Sequence, residues 1–186
     1  MKNFGGSLKT DIGMVVMTDN IFFTADEHHS HENIIKYCDR PFKDVNQQTK
    51  IIIEKHNDTV NEHSVVYHLG DFFWGGADQA PSFLRILKRY KKVKSRILIL
   101  GNHDKLNPWT YVDAGFSSVH TSCVIGGNTL LSHDPCVYQA GVWELNMFCG
   151  HVHGLWKKLN DRNIINVGVD VWGFAPVSLK TLLEEI

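Results

Sequence analysis

The sequence predicts an α/β protein in which the strand pairing is mixed rather than purely parallel. Short apolar, β-branched runs recur along the chain, helical patterns lie between several of them, and strands dominate after residue 110. These strands form either one mixed sheet or two sheets packed face to face. The 186 residues, of which 43% are hydrophobic, are enough to bury the core of one domain. We therefore expect a single domain over residues 1–186.

Each predicted strand is an apolar run bounded by glycine, asparagine or aspartate, or by another polar residue. The predicted strands are 12–17, 21–25, 64–69, 97–100, 119–125, 129–131, 147–149 and 164–169. Helical periodicity predicts three helices, at 45–62, 81–90 and 178–186. Asp44 and Ser178 are the expected N-caps of the first and last of these helices, because short oxygen-bearing side chains accept from the free N–H groups there.

Composition and charge exclude several classes of function. The formal net charge is −1, which gives no electrostatic case for a nucleic-acid or anionic-membrane partner. The basic run at 85–96 is interpreted as a solvated helix face and a charged turn. No apolar run approaches the length of about 20 residues that a membrane span requires, and the four cysteines form no C-x-x-C pair. We expect a cytoplasmic protein with reduced cysteines and no membrane partner.

Five of the predicted strands carry a metal ligand or proton carrier just past their carboxyl ends, where α/β sheets bind ligands. These residues are Asp26 and His28, Asp71, Asn102 and His103, His133, and His151 and His153. A polar residue after one strand is ordinary, because loops are polar. Five such ends at one place would bury unpaired polar and charged groups at a large cost, which coordination of a metal removes.

The number of donors favours two metal ions over one. In G-H-x-H at 150–153, alternate positions point to the same side, so His151 and His153 can reach one site, and Asp26 and His28 repeat that geometry. Asp71 is the predicted bridging carboxylate, because it comes alone from its strand. Paired ions about 3.5–4 Å apart clamp the attacking and leaving oxygens of an in-line displacement. The resulting positive pocket would attract a phosphate.

The ordered motifs D-x-H, G-D, G-N-H-D, a lone histidine and G-H-x-H resemble those of the calcineurin-like metallophosphoesterase superfamily, from residue 26 to residue 170. The runs at 26–38, 40–42, 67–72, 166–170 and 176–179 are similar to a group of small bacterial and phage phosphoesterases (phosphohydrolases). The resemblance implies a two-layer β-sandwich flanked by helices, with a two-metal site at the strand ends. Phosphoprotein phosphatases of the superfamily carry G-D-x-x-D-R and G-N-H-E, whereas here Phe72 follows Asp71 and the later motif ends in Asp104, which argues against that activity.

The resemblance also implies a role for each motif residue. The first ion would be held by Asp26, His28, Asp71 and His153, and the second by Asp71, Asn102, His133 and His151. His103 would face the substrate, stabilise the phosphoryl charge and protonate the leaving oxygen, while Asp104 would hold His103 in orientation. The cofactors are two divalent ions, with Mn²⁺ expected first and iron or zinc also suited to these nitrogen and oxygen ligands.

Three residues are candidates for substrate contact. Asn102 would absorb charge on the phosphoryl oxygens. His31 lies three positions after His28 and either contacts phosphate at the edge of the site or has a loop role. Arg40 either grips a substrate phosphate bidentately or forms a surface salt bridge.

Further residues are candidates for support of the site. Asp170 and Asn166 are expected to back a ligand histidine, and His68 is interpreted as a core histidine with its hydrogen bonds satisfied. The aromatic loop at 138–143, together with Trp74 and Trp172, either floors a substrate pocket or packs in the core or at the rim.

The predicted function is metal-dependent hydrolysis of a small phosphorylated substrate, either a phosphomonoester or a phosphodiester, with nucleotide-like molecules included. A hydroxide that bridges the two ions would attack phosphorus, and His103 would supply the proton to the leaving oxygen. The alternative is a non-catalytic metal-binding scaffold of the same fold that makes protein–protein contacts. Such a scaffold should have lost a ligand or the substrate-facing histidine, and all of them are present. The sequence leaves the oligomeric state open.

Overall fold

A computed structural model describes residues 19–137, 145–159 and 162–186. The predicted strand at 12–17 and the aromatic loop at 138–143 lie outside the described residues. The helices are α1 (Ile34–Tyr37), α2 (Val45–Thr59), α3 (Ala80–Leu87), α4 (Pro108–Ala114) and α5 (Leu179–Glu185). The strands are β1 (Ile21–Thr24), β2 (Val65–His68), β3 (Ser95–Ile99), β4 (Ser118–His120), β5 (Ser122–Ile125), β6 (Thr129–Ser132), β7 (Asn146–Cys149), β8 (Lys158–Leu159), β9 (Ile164–Asn166) and β10 (Val177–Ser178).

The strands form two five-stranded mixed sheets, which confirms the predicted α/β class. In the first sheet, ordered β10-β1-β2-β3-β4, strands β1 to β4 are parallel and β10 is an antiparallel edge. In the second, ordered β5-β6-β7-β9-β8, the central strands β6, β7 and β9 are parallel and both edges are antiparallel. The single strand expected at 119–125 is wrong, because the chain crosses from the first sheet to the second at Thr121.

The main core lies between the two sheets, because alternate residues of each strand point to opposite faces. Phe23 and Ile99 of the first sheet pack with Leu131 and Phe148 of the second. Leu98, the neighbour of Ile99, packs on the opposite face, in the cluster that contains residues of α3 and α4. This arrangement places the carboxyl ends of β1, β2 and β3 next to those of β6 and β7.

The predicted helices are present with shifted ends. Asp44 caps α2 by accepting from the Gln47 N–H at 2.8 Å, and Ser178 caps α5 by accepting from the Thr181 N–H at 3.1 Å. The helix α2 ends at Thr59 rather than at residue 62, because Val60 is already extended. The helix predicted at 81–90 begins at Ala80 and ends at Leu87.

Glycines at the strand ends allow the close approach of the two sheets. A Cβ on Gly150 would lie 2.7 Å from the Asp26 Oδ2 atom, and one on Gly168 would lie 2.8 Å from the same atom. A Cβ on Gly101 would overlap the carboxylate and the backbone nitrogen of Asp71. Gly101 and Gly150, each directly before a candidate ligand, therefore leave the space that the Asp71 and Asp26 carboxylates occupy.

Gly101→Ala is expected to lower the free energy of unfolding by about 1–3 kcal/mol and to weaken metal binding, because the added methyl displaces the Asp71 loop. Gly154→Ala is the matched control, since a Cβ there meets nothing within 4 Å. Urea unfolding of both variants measures the difference. Equal stability of the two variants would contradict the steric role of Gly101.

Candidate metal centre

The strand-end residues of both sheets converge on one site, as the sequence predicts. The loops after β1 and β2 are joined by backbone hydrogen bonds, from the Asp26 N–H to the Gly70 carbonyl at 3.0 Å and from the His28 N–H to the Asp71 carbonyl at 2.9 Å. The second sheet is attached through the His151 N–H, which donates to the Asp26 carboxylate at 3.0 Å. Backbone contacts thus fix the candidate ligands relative to one another.

The backbone at the site is strained in a way that is rare for residues with a side chain. Five candidate ligands have left-handed φ values, namely Asp26 (61°), His28 (50°), Asp71 (53°), His151 (73°) and His153 (48°). Non-glycine residues seldom adopt this region, and such strain concentrates at functional sites. The strain turns each side chain toward the common centre at the expense of local backbone energy.

Asp71 lies at the middle of the site. Its Oδ2 atom is 3.5 Å from His28 Nε2, 3.3 Å from His133 Nε2 and 3.9 Å from His103 Nε2. Its Oδ1 atom accepts from the His103 backbone N–H at 2.8 Å, which fixes the orientation of the carboxylate. One carboxylate oxygen therefore faces a histidine from each half of the site, which is the position that the predicted bridge requires.

The candidate donors fall into two neighbouring groups around Asp71. Donor atoms of Asp26, His28 and His153 lie within 4.8 Å of one another, and those of Asp26, Asp71 and His133 do so as well. Asp26 thus belongs to both groups, whereas the sequence predicts a shared position for Asp71 alone.

The second predicted ligand set is also brought together. The Asn102 Oδ1 atom lies 3.1 Å from His133 Nε2 and 3.0 Å from His151 Nδ1, and the two imidazole nitrogens are 3.3 Å apart. The other ring nitrogen of His133 is 2.8 Å from the Leu69 carbonyl, so that Nε2 faces the centre. Three donor atoms that face one another at this spacing can converge on one cation.

Burial and neighbouring groups shift the pKa values of the carboxylates and histidines of the site. Burial raises the pKa of Asp26 to about 6. Burial opposes ionisation of Asp71, but the hydrogen bonds from His133 and from the His103 backbone N–H, together with nearby positive charge, outweigh burial and hold the pKa at about 2. Burial also lowers the pKa of His133, but the Asp71 hydrogen bond and the charges of Asp26 and Asp71 together raise it to about 9. Burial keeps His28 neutral, with a pKa of about 2, so that its lone pair is available.

The residues present fit a metal. The His28 side chain is 1% exposed, yet neither of its ring nitrogens has a hydrogen-bond partner. A buried polar group without a partner costs free energy, and a coordinated cation would satisfy it. Imidazole, carboxylate and amide donors suit manganese, iron or zinc. The orphaned nitrogens of His28 and the convergent donors around Asp71 therefore indicate a metal centre.

Arg40 supports the site rather than binding substrate, which corrects the expectation from the sequence. Its guanidinium is buried and pairs bidentately with Asp170, with both N–O distances 2.8 Å. It also donates to the carbonyls of Asp26 and Glu27 and to the Gln48 side chain. A guanidinium has five N–H donors, and these five contacts use all of them, so none is left for a phosphate.

Asp170 connects Arg40 to a candidate ligand. Its Oδ2 atom lies 3.1 Å from His153 Nδ1, which confirms the predicted backing of a histidine. Asn166 also supports this segment, because its amide donates to the His153 carbonyl at 2.7 Å. Burial lowers the pKa of His153, but the hydrogen bonds with Asp170 and Cys38 and the charge of Asp26 together raise it to about 10. Asp170 therefore fixes the orientation of the His153 ring.

Asp170→Asn is expected to lower the free energy of unfolding by about 3–5 kcal/mol, because it leaves the buried Arg40 charge without its counter-ion. Chemical denaturation of the metal-free protein measures this loss. Glu54→Gln, which breaks an exposed pair with Lys50 at 3.7 Å, is the control and should cost no more than about 0.5 kcal/mol. A loss as small as that of the control would show that the Arg40 pair contributes little.

Asp104 does not contact the His103 ring, which corrects a second expectation. Its carboxylate accepts from the backbone N–H groups of Asp71 (2.8 Å), Phe72 (3.1 Å) and Gly101 (2.9 Å). The turn after β3 points this side chain back toward the strand ends, where those three donors meet. Asp104 is therefore a positioning residue for the Asp71 loop.

His103 and His31 both line a cavity of about 730 Å³ beside the candidate metal centre. The His103 side chain is 33% exposed, and burial lowers its pKa. His31 stacks on Trp74 with ring centroids 4.0 Å apart, and Trp74 lies 4.6 Å from the His103 ring. The structure thus places His31 at the edge of the site, beside the residue predicted to face the substrate.

Two features of the site have no signal in the sequence. Glu27 lies between two candidate ligands but points away from them, and its Oε1 atom is 2.6 Å from His68 Nδ1 in the interior. Burial raises the pKa of Glu27 to about 8. Cys38 forms a further group of donors within 4.8 Å with His153 and Asp170. These contacts join residues far apart in the chain, so no spacing reveals them.

None of the helices in the part of the chain that the structure describes has the length and apolar character to cross a membrane.

The chain is similar to known proteins in sequence and in fold. The model of the calcineurin-like phosphoesterase family matches residues 20–175. An uncharacterized protein of Methanocaldococcus jannaschii is 31% identical over 173 residues, which cover 89% of this chain and 90% of that protein. The crystal structure of a protein of unknown function from Aquifex aeolicus has a TM-score of 0.66 and 24% identity, and the match covers 89% of this chain and 98% of that one. At that identity the likeness shows the fold alone.

The family match and the grouped residues Asp26, His28, Asp71 and His133 support a metal-dependent phosphoesterase in general. The superfamily indicated by the ordered motifs is confirmed, since the matched region contains all five of them. The chain belongs to the calcineurin-like phosphoesterase family.

Proposed function

We propose that the protein is a phosphoesterase that uses two divalent metal ions to hydrolyse a phosphomonoester or phosphodiester. The observation that carries the proposal is the position of Asp71 Oδ2 between His28 Nε2 at 3.5 Å and His133 Nε2 at 3.3 Å. One ion would be held by Asp26, His28, Asp71 and His153, and the other by Asp71, Asn102, His133 and His151. When bound, the ions would lower the pKa of a water molecule and offset charge on the phosphoryl oxygens.

The remaining chemistry would come from side chains of this protein. In the reaction, water adds to phosphorus, the bond from phosphorus to the ester oxygen breaks, and that oxygen leaves as an alcohol. His103 is the proposed donor of the proton to the leaving oxygen, because its ring lines the cavity and its Nε2 atom is directed at Asp71 from 3.9 Å. Its backbone N–H would hold Asp71 in place throughout.

Asn102 and the two halves of the site would orient the phosphoryl group. The Asn102 amide oxygen is engaged with His133 and His151, and its NH₂ group is the proposed donor to a phosphoryl oxygen. Hydrogen-bond donors that are already in place stabilise developing charge without reorganisation. The proposed metal is Mn²⁺, with iron and zinc as alternatives that the same ligands accept.

Hydrolysis of bis-p-nitrophenyl phosphate and p-nitrophenyl phosphate by the Mn²⁺-loaded protein tests the proposal. We expect turnover of at least one ester, its loss on treatment with a chelator, and recovery when Mn²⁺ is restored. The control is a His133→Ala protein prepared in the same way. Its residual turnover measures the contribution of any contaminating phosphatase. Metal binding without turnover of either ester would instead favour a non-catalytic metal-binding scaffold that makes protein–protein contacts.

A further inference from the structure

The cavity beside the metal centre is larger than a phosphate group requires. Its volume of about 730 Å³ falls in the range of about 300–1,000 Å³ that holds a drug-sized organic ligand. Histidines line the side next to the metal centre, namely His28, His31, His103, His151 and His153. The rest of the wall is mostly apolar and includes Ile34, Tyr37, Trp74, Val152 and Leu155. The cavity therefore has room for an organic group attached to the phosphate.

Three large apolar side chains on this wall are exposed to solvent. Tyr37 is 72% exposed, Trp74 is 40% exposed and Leu155 is 83% exposed. Exposed apolar residues that occur singly need no explanation, but a cluster at the mouth of a candidate active site marks a binding surface. We call these three residues the apolar rim.

Trp74 is held in a fixed position within the apolar rim. Its ring stacks on His31 at an interplanar angle of 6°, and its backbone N–H donates to the His29 carbonyl at 2.8 Å. Its ring centroid lies 4.6 Å from that of His103. A rigid aromatic ring next to the proposed proton donor is suited to pack against a planar group of the substrate with little loss of side-chain entropy.

The polar side chains in the cavity wall favour a nucleobase over a purely apolar group as the occupant. Asn33 lies at the N-cap of α1, where its side chain makes no capping hydrogen bond, and it is one of the residues that line the cavity. An amide offers both donors and an acceptor, which match the edge of a heterocyclic base. No lysine, arginine, aspartate or glutamate is among the described residues that line the cavity. Additional phosphate groups would therefore find no cationic partner away from the metal centre.

We propose that the substrate is a nucleoside phosphate ester that carries a single phosphoryl group, with its base packed on the apolar rim. This inference rests on the proposed function, because it assigns a substrate class to the same site. The phosphoryl group would lie at the metal centre, the base against Trp74 and Tyr37, and the edge of the base within reach of Asn33.

Three diesters of p-nitrophenyl phosphate test this assignment, because they share one leaving group and differ only in the second ester group. That group is thymidine (attached at the 5′ oxygen), cyclohexyl or methyl. We expect kcat/KM for the thymidine ester to exceed that for the methyl ester by about 5- to 150-fold, the range that stacking of a base on aromatic side chains gives. Equal values for thymidine and methyl, or for thymidine and cyclohexyl, would overturn the assignment.

Variants of the apolar rim localise the effect. Tyr37→Ala and Trp74→Ala are each expected to lower the thymidine-to-methyl ratio of kcat/KM by at least about fivefold. Trp109→Ala is the matched control, since Trp109 is 72% exposed on α4 and does not line the cavity, and it should leave the ratio unchanged. If the thymidine-to-methyl ratio of kcat/KM is unchanged in both variants, the nucleoside is recognised elsewhere and the proposal is overturned.

Calorimetric binding separates this inference from the proposed function. If no ester is hydrolysed, the proposed function fails. The affinities of the Mn²⁺-loaded protein for thymidine 5′-monophosphate and methyl phosphate still test whether the apolar rim recognises a nucleoside. Binding of the nucleotide at least about fivefold more tightly would support nucleoside recognition by the apolar rim. Equal affinity, or binding of neither compound, would overturn it.

Discussion

Replacing Asp71 with asparagine is expected to remove most of the bound metal and to lower kcat/KM by at least about 10³-fold. Asp71 Oδ2 faces His28 and His133 from 3.5 and 3.3 Å, so that the loss of its charge affects both halves of the centre. The Oδ1 atom accepts from the His103 backbone N–H, a bond that an asparagine oxygen can keep. The fold should therefore survive, and circular dichroism, elemental metal analysis and steady-state kinetics on one preparation measure the three quantities.

Asp58→Asn provides the control for the Asp71 variant. Asp58 is exposed on α2, away from the metal centre, so the same chemical change there should leave metal content and activity at the wild-type level. An Asp71→Asn protein that keeps two equivalents of metal and full activity would show that Asp71 does not bridge two ions.

His103→Ala is expected to keep the metal content of the wild type and to lose about 10²–10⁴-fold in kcat. The His103 ring lies at the cavity surface, and its backbone N–H, which holds Asp71, remains in alanine. Because the proposed role is protonation of the leaving oxygen, the loss should be larger for an ester with a poor leaving group, such as phenol, than for one with p-nitrophenol. Kinetics with the two esters measure this dependence.

His31→Ala is the comparison for the His103 variant, since His31 lines the same cavity at a ring distance of 6.2 Å from His103. Its effect on kcat should be smaller and independent of the leaving group. If His103→Ala lost as much metal as Asp71→Asn, or showed no dependence on the leaving group, His103 would not be the proton donor.

The convergence of the candidate ligands could be predicted from the sequence because strand ends are local features. Each ligand follows an apolar run directly, and parallel strands present their carboxyl ends at one edge. The glycines before Asp71, Asn102 and His151 also carry a local signal, and the space they leave is filled by neighbouring strand ends. Charge, spacing and alternation therefore sufficed to group the residues.

The contacts between distant residues could not be predicted. The sequence predicts a phosphate ligand or a surface salt bridge at Arg40, whereas Arg40 is buried against Asp170, which is 130 positions away. The family resemblance implies that Asp104 holds His103, but its carboxylate instead accepts from three backbone N–H groups. Adjacency in sequence does not reveal which donors tertiary packing brings to a side chain.

The division of residues 119–125 between two sheets was equally hidden. The run from Val119 to Ile125 contains no glycine, proline, asparagine or aspartate, so the pattern gives no sign of the crossing. Only the pairing partners, β3 on one side and β6 on the other, distinguish the two strands.

A crystal structure of the protein grown with Mn²⁺, with anomalous diffraction data collected at the manganese edge, tests the two-metal centre. Two anomalous peaks are expected, one beside His28 and His153 and the other beside His133 and His151, with Asp71 within coordination distance of both. Absence of anomalous density at Asp71, or His133 and His151 rings turned away from a single isolated peak, would contradict the two-metal centre.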